Sequence, residues 1–198
     1  QVMPTAMPAQ IGAVIVMAVL ADDAAGRPLE RWGPVLSAYA DAMPQASGAV
    51  EDKIHDAVAR TLTAVEAAPP SSAALLRDAE VMVGAMAVAA NDAGENASLV
   101  ARATASLSKL IKLRAVSASG DDARGQLGRF EAALDRNDLG AAVAIANGWA
   151  GSRIDGLQAW QRDAAARIRL DTALADLAVV VIGALPPPFA GQAAETVN

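Results

Sequence analysis

The chain is expected to be all-α, a helical bundle of about seven to eight helices that ends in a helical hairpin and one long C-terminal helix. Three observations predict this. Alanine supplies about a quarter of the 198 residues, and it has the highest intrinsic helix propensity. Every assignable apolar run repeats at three- and four-residue spacing, the period of a helix face, and no segment alternates as a strand does. Gly, Pro, Ser, Asn and Asp gather between these runs, where helices start and stop. No fixed-period repeat is present.

The first helix is expected over about 8–25, with Pro8 suited to its first turn and Gly26 to its end. Residues 1–21 carry no charge. The run from Ile11 to Ala21, apolar apart from Gly12, reads as a buried helix, or as what remains of a longer apolar segment. At about eleven residues it is too short to cross a bilayer, which takes around 20. The second helix begins near Pro28 with Leu29, Trp32, Val35, Leu36 and Tyr39 as its apolar points, and Gly33-Pro34 is expected to kink or break it. The third spans about 51–66, with Ile54, Val58, Leu62 and Val65 on one stripe. Pro69-Pro70 ends it, and Ser71 or Ser72 can cap the fourth. That helix reaches about residue 90 and is apolar on most sides, so it is expected to be central.

A fifth helix is expected over about 97–112. The segment 96–120 contains Arg102, Lys109, Lys112 and Arg114 and no acidic residue, inside a chain of formal net charge -6. At about 100° per residue, Leu99, Val100, Ala103, Leu107, Leu110 and Ile111 fall on one side. Arg102, Ser108, Lys109 and Lys112 fall on the other. An apolar stripe with a purely cationic back suits an anionic membrane surface; an amphipathic helix is equally the ordinary wall of a bundle. The connector 113–122 holds Ser117, Ser119 and Gly120 and is the expected boundary. Asp121 or Asp122 can cap the next helix, whose core points are Leu127, Phe130 and Leu134. Asn137-Asp138 forms a turn into a short antiparallel helix begun by Leu139, Val143 and Ile145. Trp149 sits in a loop, and the last helix runs over about 154–182 with Leu157, Trp160, Ala164, Ile168, Leu174, Leu177 and Val181 as its stripe. The division expected is 1–95, an N-terminal helical region; 96–120, the basic helix and connector; 121–185, a C-terminal helical domain; and 186–198, a tail.

Aromatic residues are only 3% of the chain, so the core is built from Ala, Leu, Val and Ile. Small side chains bury little area each, and burial contributes roughly 25 cal/mol per Å². Modest stability follows, with help from self-association. There is no cysteine, which removes disulfides and thiolate chemistry. The acidic balance argues against nucleic acid as the main partner.

Little in the sequence points to catalysis. His55 is the only histidine; it has Glu51, Asp52 and Asp56 within helical reach, but no nucleophile or co-ligand pattern, so a structural or solvent-facing role is expected. The doublets Asp22-Asp23 and Asp121-Asp122 are expected to cap helix ends or complement the backbone dipole. Gly120, Gly125 and Gly128 form no phosphate loop, since no strand precedes them and no GK[ST] or GxGxxG is present. Ser152 lies in no GxSxG. Asn96-Ala97-Ser98 matches only the short glycosylation triplet. Trp149 and Trp160 are expected as volume-filling anchors. No enzyme, cofactor or metal is expected.

Several short motifs persist in order and spacing. They are the run Leu107-Ser-Lys-Leu-Ile-Lys-Leu-Arg114, then Gly120-Asp121-Asp122, then Phe130-Glu131-Ala-Ala-Leu134. Asn137-Asp138-Leu139-Gly-Ala-Ala142 follows, and then Trp160 with Arg167 ahead of Leu174 and Leu177. In these the chain resembles the C-terminal part of the mitofilin family, the inner-membrane organising proteins of mitochondria and alphaproteobacteria. Gly26-Arg27-Pro28-Leu29 is also similar to a step in bacterial members. The chain differs at Gly148-Trp149-Ala150-Gly151, where a Pro or a plain apolar turn is more usual. Gln1 is not an initiator Met, and the resemblance implies a membrane anchor and coiled coil upstream.

The resemblance implies a membrane-shaping scaffold at the periplasmic face of the bacterial inner membrane. Arg102, Leu107, Lys109, Leu110, Ile111, Lys112 and Arg114 would meet anionic lipid. A terminal bundle with Phe130, Leu134, Leu139, Trp160, Ile168 and Leu174 as core or interface would self-associate or dock an envelope or outer-membrane partner. The alternative is a soluble, TPR-like helical interaction module around the hairpin 127–145, without lipid contact.

Overall fold

The computed structural model describes residues 6–43, 49–92, 122–151 and 153–185. Among them the chain is all-α, without strands. In order come α1 (Ala6–Ala24), a 3-10 turn (Glu30–Trp32), α2 (Gly33–Ala42), α3 (Ala49–Glu66), α4 (Ser72–Asp92), α5 (Ala123–Asp135), α6 (Leu139–Asn147) and α7 (Leu157–Gly183). The expected helix at 97–112, the connector 113–121 and the tail 186–198 lie outside the described residues. The chain forms two compact units. One comprises Gln1–Ala68 and Arg169–Asn198, the other Pro69–Ile168.

In the first unit, α1 ends in a Schellman turn. Gly26 takes φ +65°, its N–H donates to Asp23 O, and Arg27 N–H donates to Asp22 O, both at 2.9 Å. Glycine fits because a left-handed residue without Cβ carries no steric cost there. The Gly-Arg-Pro-Leu step is thus a helix stop followed by Leu29, which is buried. The segment from Pro28 is divided at Gly33-Pro34, as expected: a 3-10 turn ends at Trp32 and α2 begins at Gly33. The 3-10 turn passes into α2, and Pro34 sits in its first turn, where a missing N–H removes no bond.

α1 was expected to be buried, and it is buried on one face only. Gly12, Val16 and Val19 turn inward, while Ile11, Val14 and Met17 stay exposed. Apolarity all round predicts burial all round, yet the helices this unit packs against α1 cover only one side of it. Two apolar clusters fill the unit: Val16, Leu36, Tyr39, Ile54, Val58, Leu177 and Val181 in one, and Val19, Leu29, Val65, Leu170 and Leu174 in the other. Thr61 is fully buried in α3. Its Oγ donates to Ala57 O at 2.8 Å and also lies 3.3 Å from Ala173 O of α7. That reach requires the close helix approach that Ala57 and Ala173 permit.

In the second unit the starts of α4, α5 and α6 each have a visible cause. Ser71 Oγ accepts from Ala74 N–H at 3.3 Å at the start of α4. Asp122 accepts from Gly125 N–H at 2.9 Å at the start of α5. The turn between α5 and α6 uses its two residues for opposite tasks. Asn137 adopts φ +54° and donates to Leu134 O, while Asp138 N–H donates to Ala133 O. This closes α5 with a left-handed residue that Asn tolerates. The Asp138 carboxylate then accepts from Ala141 N–H at 2.9 Å and opens α6. The expected hairpin is present, and α5 packs against both α4 and α6.

α4 is not central on all sides. Leu75, Ala79, Met86 and Ala89 are buried, whereas Val81, on the far face, is 79% exposed. Spacing of four, seven and three residues along the buried set traces one helical stripe. Methyl-sized residues around it made the sequence look apolar everywhere without supplying a second face to bury.

Candidate functional site

The sequence-derived lipid site falls on Arg102, Leu107, Lys109, Leu110, Ile111, Lys112 and Arg114. All of these lie outside the described residues, as do Asn96, Gly120 and Asp121. The C-terminal set can be placed. Phe130, Leu139 and Trp160 are buried in one cluster with Leu75 and Met86, and Leu134 and Ile168 pack against it half-buried. Leu174 belongs instead with Val19, Leu29 and Leu170 in the other unit. The residues 121–185 therefore do not share one core. α7 has 27 residues, about 40 Å at 1.5 Å per residue, and its single apolar stripe serves two small cores in turn.

Trp160 is the anchor of the second unit. It is 3% exposed, and its indole N–H donates to Leu75 O at 2.9 Å across 85 residues of sequence. Its ring meets Phe130 edge-on, with centroids 5.6 Å apart. Trp149 is half-buried and lines a shallow depression of 440 Å³ with Asn147, Arg153, Asp155, Gln158 and Gln161. Its loop is fastened by Gln126, which donates to Gly148 O at 2.6 Å and accepts from Ala150 N–H at 2.7 Å. A Cβ on residue 151 would lie 2.5 Å from the Trp149 ring, which is why Gly151 stands there. Gln126 carried no motif signal in the sequence; only the fold brings it to the loop.

The two carboxylate doublets have different roles. Asp122 caps a helix, as expected. Asp22 does not: it sits in the last turn of α1, where a negative charge opposes the helix dipole. Its side chain is buried and collects three donors, from Arg31, from Trp32 Nε1 at 2.7 Å and from Arg27 at 2.9 Å. The Arg31 guanidinium holds the carboxyl below its ordinary pKa against the opposing effect of burial, with Trp32 and Arg27 adding to the lowering. The cluster ties the end of α1 to the 3-10 turn and so sets the direction in which α2 leaves.

A lowered folded pKa means that the unfolded chain binds the proton more tightly. The contribution of Asp22 is therefore present above the ordinary aspartate value of about 3.9 and is lost as pH falls through the depressed one. An Asp22→Asn variant is expected to melt lower at pH 7, and the gap to wild type is expected to narrow below about pH 4. Thermal melts followed by circular dichroism at both pH values check this; a constant gap would show that the charge at Asp22 contributes nothing.

His55 is half-buried on α3, and its Nε2 has no hydrogen-bond partner among the described residues. No group of three His, Asp or Glu side chains among the described residues is placed to hold a metal ion. No described helix is long and apolar enough to cross a membrane. The chain matches no protein-family model, no curated protein and no solved structure.

Proposed function

We propose that this protein is a non-enzymatic membrane-organising scaffold that binds an anionic bilayer surface and self-associates. The observation that carries the reading is the charge sorting in 96–120. That segment has two of the chain's three lysines, a quarter of its 16 basic residues, and none of its 22 acidic ones. The remainder of the chain is strongly acidic, so attraction to anionic lipid has to come from this segment, within a Debye length of about 8 Å at physiological salt. The mitofilin resemblance supports the same reading and adds the periplasmic face of the bacterial inner membrane, with an envelope or outer-membrane partner. Leu107, Leu110 and Ile111 enter the headgroup boundary. Arg102, Lys109, Lys112 and Arg114 meet lipid phosphates and carboxylates, at about 1 kcal/mol for each cation.

Co-sedimentation with vesicles containing about one-third anionic lipid tests this. Binding is expected to fall with added salt and to be absent with neutral vesicles. Reversing both lysines, K109E/K112E, is expected to cost about 4 kcal/mol, roughly a thousand-fold in affinity, because two attractions become two repulsions. Equal binding by the double variant would reject the assigned role. Absence of wild-type binding to any vesicle would favour the alternative, a helical interaction module built around the α5–α6 hairpin.

A further inference from the structure

The exposed apolar side chains are of two kinds. Val35 and Val50 stand singly, Val50 beside Glu51 and Asp52, and on α4 Val81 and Val88 lie on one face seven residues apart with only Gly84 and Ala85 between them, Val81 having Arg77, Asp78 and Glu80 close by. Single valines and so sparse a pair are ordinary. On α1 the pattern differs. Ile11 is 51%, Val14 70% and Met17 61% exposed, and no charged residue precedes Asp22 on this helix. Ile11, Val14, Ala18 and Ala21 follow one another at spacings of three, four and three, the seam of a two-helix coiled coil. This seam is separate from the face already committed to the core through Gly12, Val16 and Val19. α7 approaches α1 at Gly12, where Val181 is a near neighbour. There α7 too leaves Val179 and Ile182 exposed, with no charge beyond Asp176 through Leu185.

We infer that the outward face of α1 is the docking surface for a second copy of this chain, α1 against α1 about a two-fold axis. Three observations select this occupant. The face is uncharged along its whole length, so it matches an equally uncharged surface, and its own copy is one. Interface centres are depleted of charge in just this way. An anionic bilayer is a poorer match, because interfacial helices hold it with Lys and Arg on the flanking polar face and α1 has neither. The seam runs from Ile11 and Val14 to the small Ala18 and Ala21, which let two backbones approach closely, and a two-fold pair makes one patch serve both sides. This specifies the self-association of the proposed reading and places it on α1, away from the basic segment.

The absence of native cysteine makes the test direct. Val14→Cys, Met17→Cys, Ala18→Cys and Ala21→Cys, each made singly in the full chain, are expected to give a disulfide-linked dimer for at least one, the residue nearest the axis. Val81→Cys, similarly exposed on α4, is expected to give none. In sedimentation equilibrium the wild type is expected to be a reversible dimer. Val14→Glu is expected to raise the dimer dissociation constant at least ten-fold, with unchanged helicity in the monomer. A wild type that stays monomeric to high concentration would overturn the inference. So would a dimer that Val14→Glu leaves untouched, cross-linking equal at Val81→Cys, or a loss on Val14→Glu of vesicle binding alone. K109E/K112E leaves this result unaffected, so failure of the lipid reading and failure of the dimer are told apart.

Discussion

Replacing Trp160 by Ala is expected to destabilise the protein by about 3–5 kcal/mol, the range for large aromatic side chains removed from a core. Three losses combine. The indole is almost completely buried, and its removal leaves a cavity among Leu75, Phe130 and Ala164, which belong to the same cluster. Phe130 and Leu75 are already fully packed, and helix backbones cannot collapse into the space that a large ring vacates. The bond from Nε1 to Leu75 O is lost, along with the edge-on contact to Phe130, worth about 0.5–1.5 kcal/mol beyond area. Trp160→Phe keeps much of the volume but not the donor, so it should fall between wild type and the Ala variant. Urea unfolding followed by circular dichroism checks the series. A cost below about 1 kcal/mol for the Ala variant would mean that the site is not the core anchor it is taken to be.

Gly12→Ala is expected to destabilise by about 1–3 kcal/mol, the cost of overpacking, although alanine is the better helix former by nearly 1 kcal/mol. A Cβ at residue 12 would overlap the Tyr39 hydroxyl, with Tyr39 Cζ at 2.6 Å and Val181 Cγ1 at 3.1 Å. The phenol lies across the α1 backbone in a buried position. Its hydroxyl has no hydrogen-bond partner among the described residues, and burial raises its pKa. The decisive measurement is a double-mutant cycle. In a Tyr39→Ala background the overlap with the phenol is gone and only the tight approach to Val181 remains, so the cost of Gly12→Ala is expected to fall by at least about 1 kcal/mol as helix propensity offsets what is left. Additive effects of the two changes would show that Gly12 and Tyr39 do not meet.

Some features were legible residue by residue. The pair Asn137-Asp138 marks the hairpin because Asn accepts a left-handed conformation and Asp accepts from free N–H groups, and both do so here. The 3,4-spaced stripe of α3 is legible in the same way: Ile54, Val58 and Val65 are all buried. Other features were not. Thr61 reads as an ordinary polar residue, yet it is fully buried because its hydroxyl finds a carbonyl one turn back and comes near another on α7. Asp22 reads as a helix-end charge and is instead a buried carboxylate, since its donors lie five to ten residues further on and meet it only after the chain has turned. Among the candidate site residues, the aromatic and aliphatic anchors of the hairpin were recoverable from hydropathy. Leu174 was misgrouped because nothing along a continuous stripe marks where one core ends and the next begins.

Alanine content, helical period and turn residues determined the all-α class, the hairpin and the long last helix, because these depend on local backbone preference and on which side of a single helix is apolar. The tertiary structure decided which apolar faces are covered. α1 and α4 are apolar on more sides than their neighbours can reach, and the stripe of α7 is longer than either core. Burial is a property of two surfaces meeting, and one helix's sequence specifies only its own.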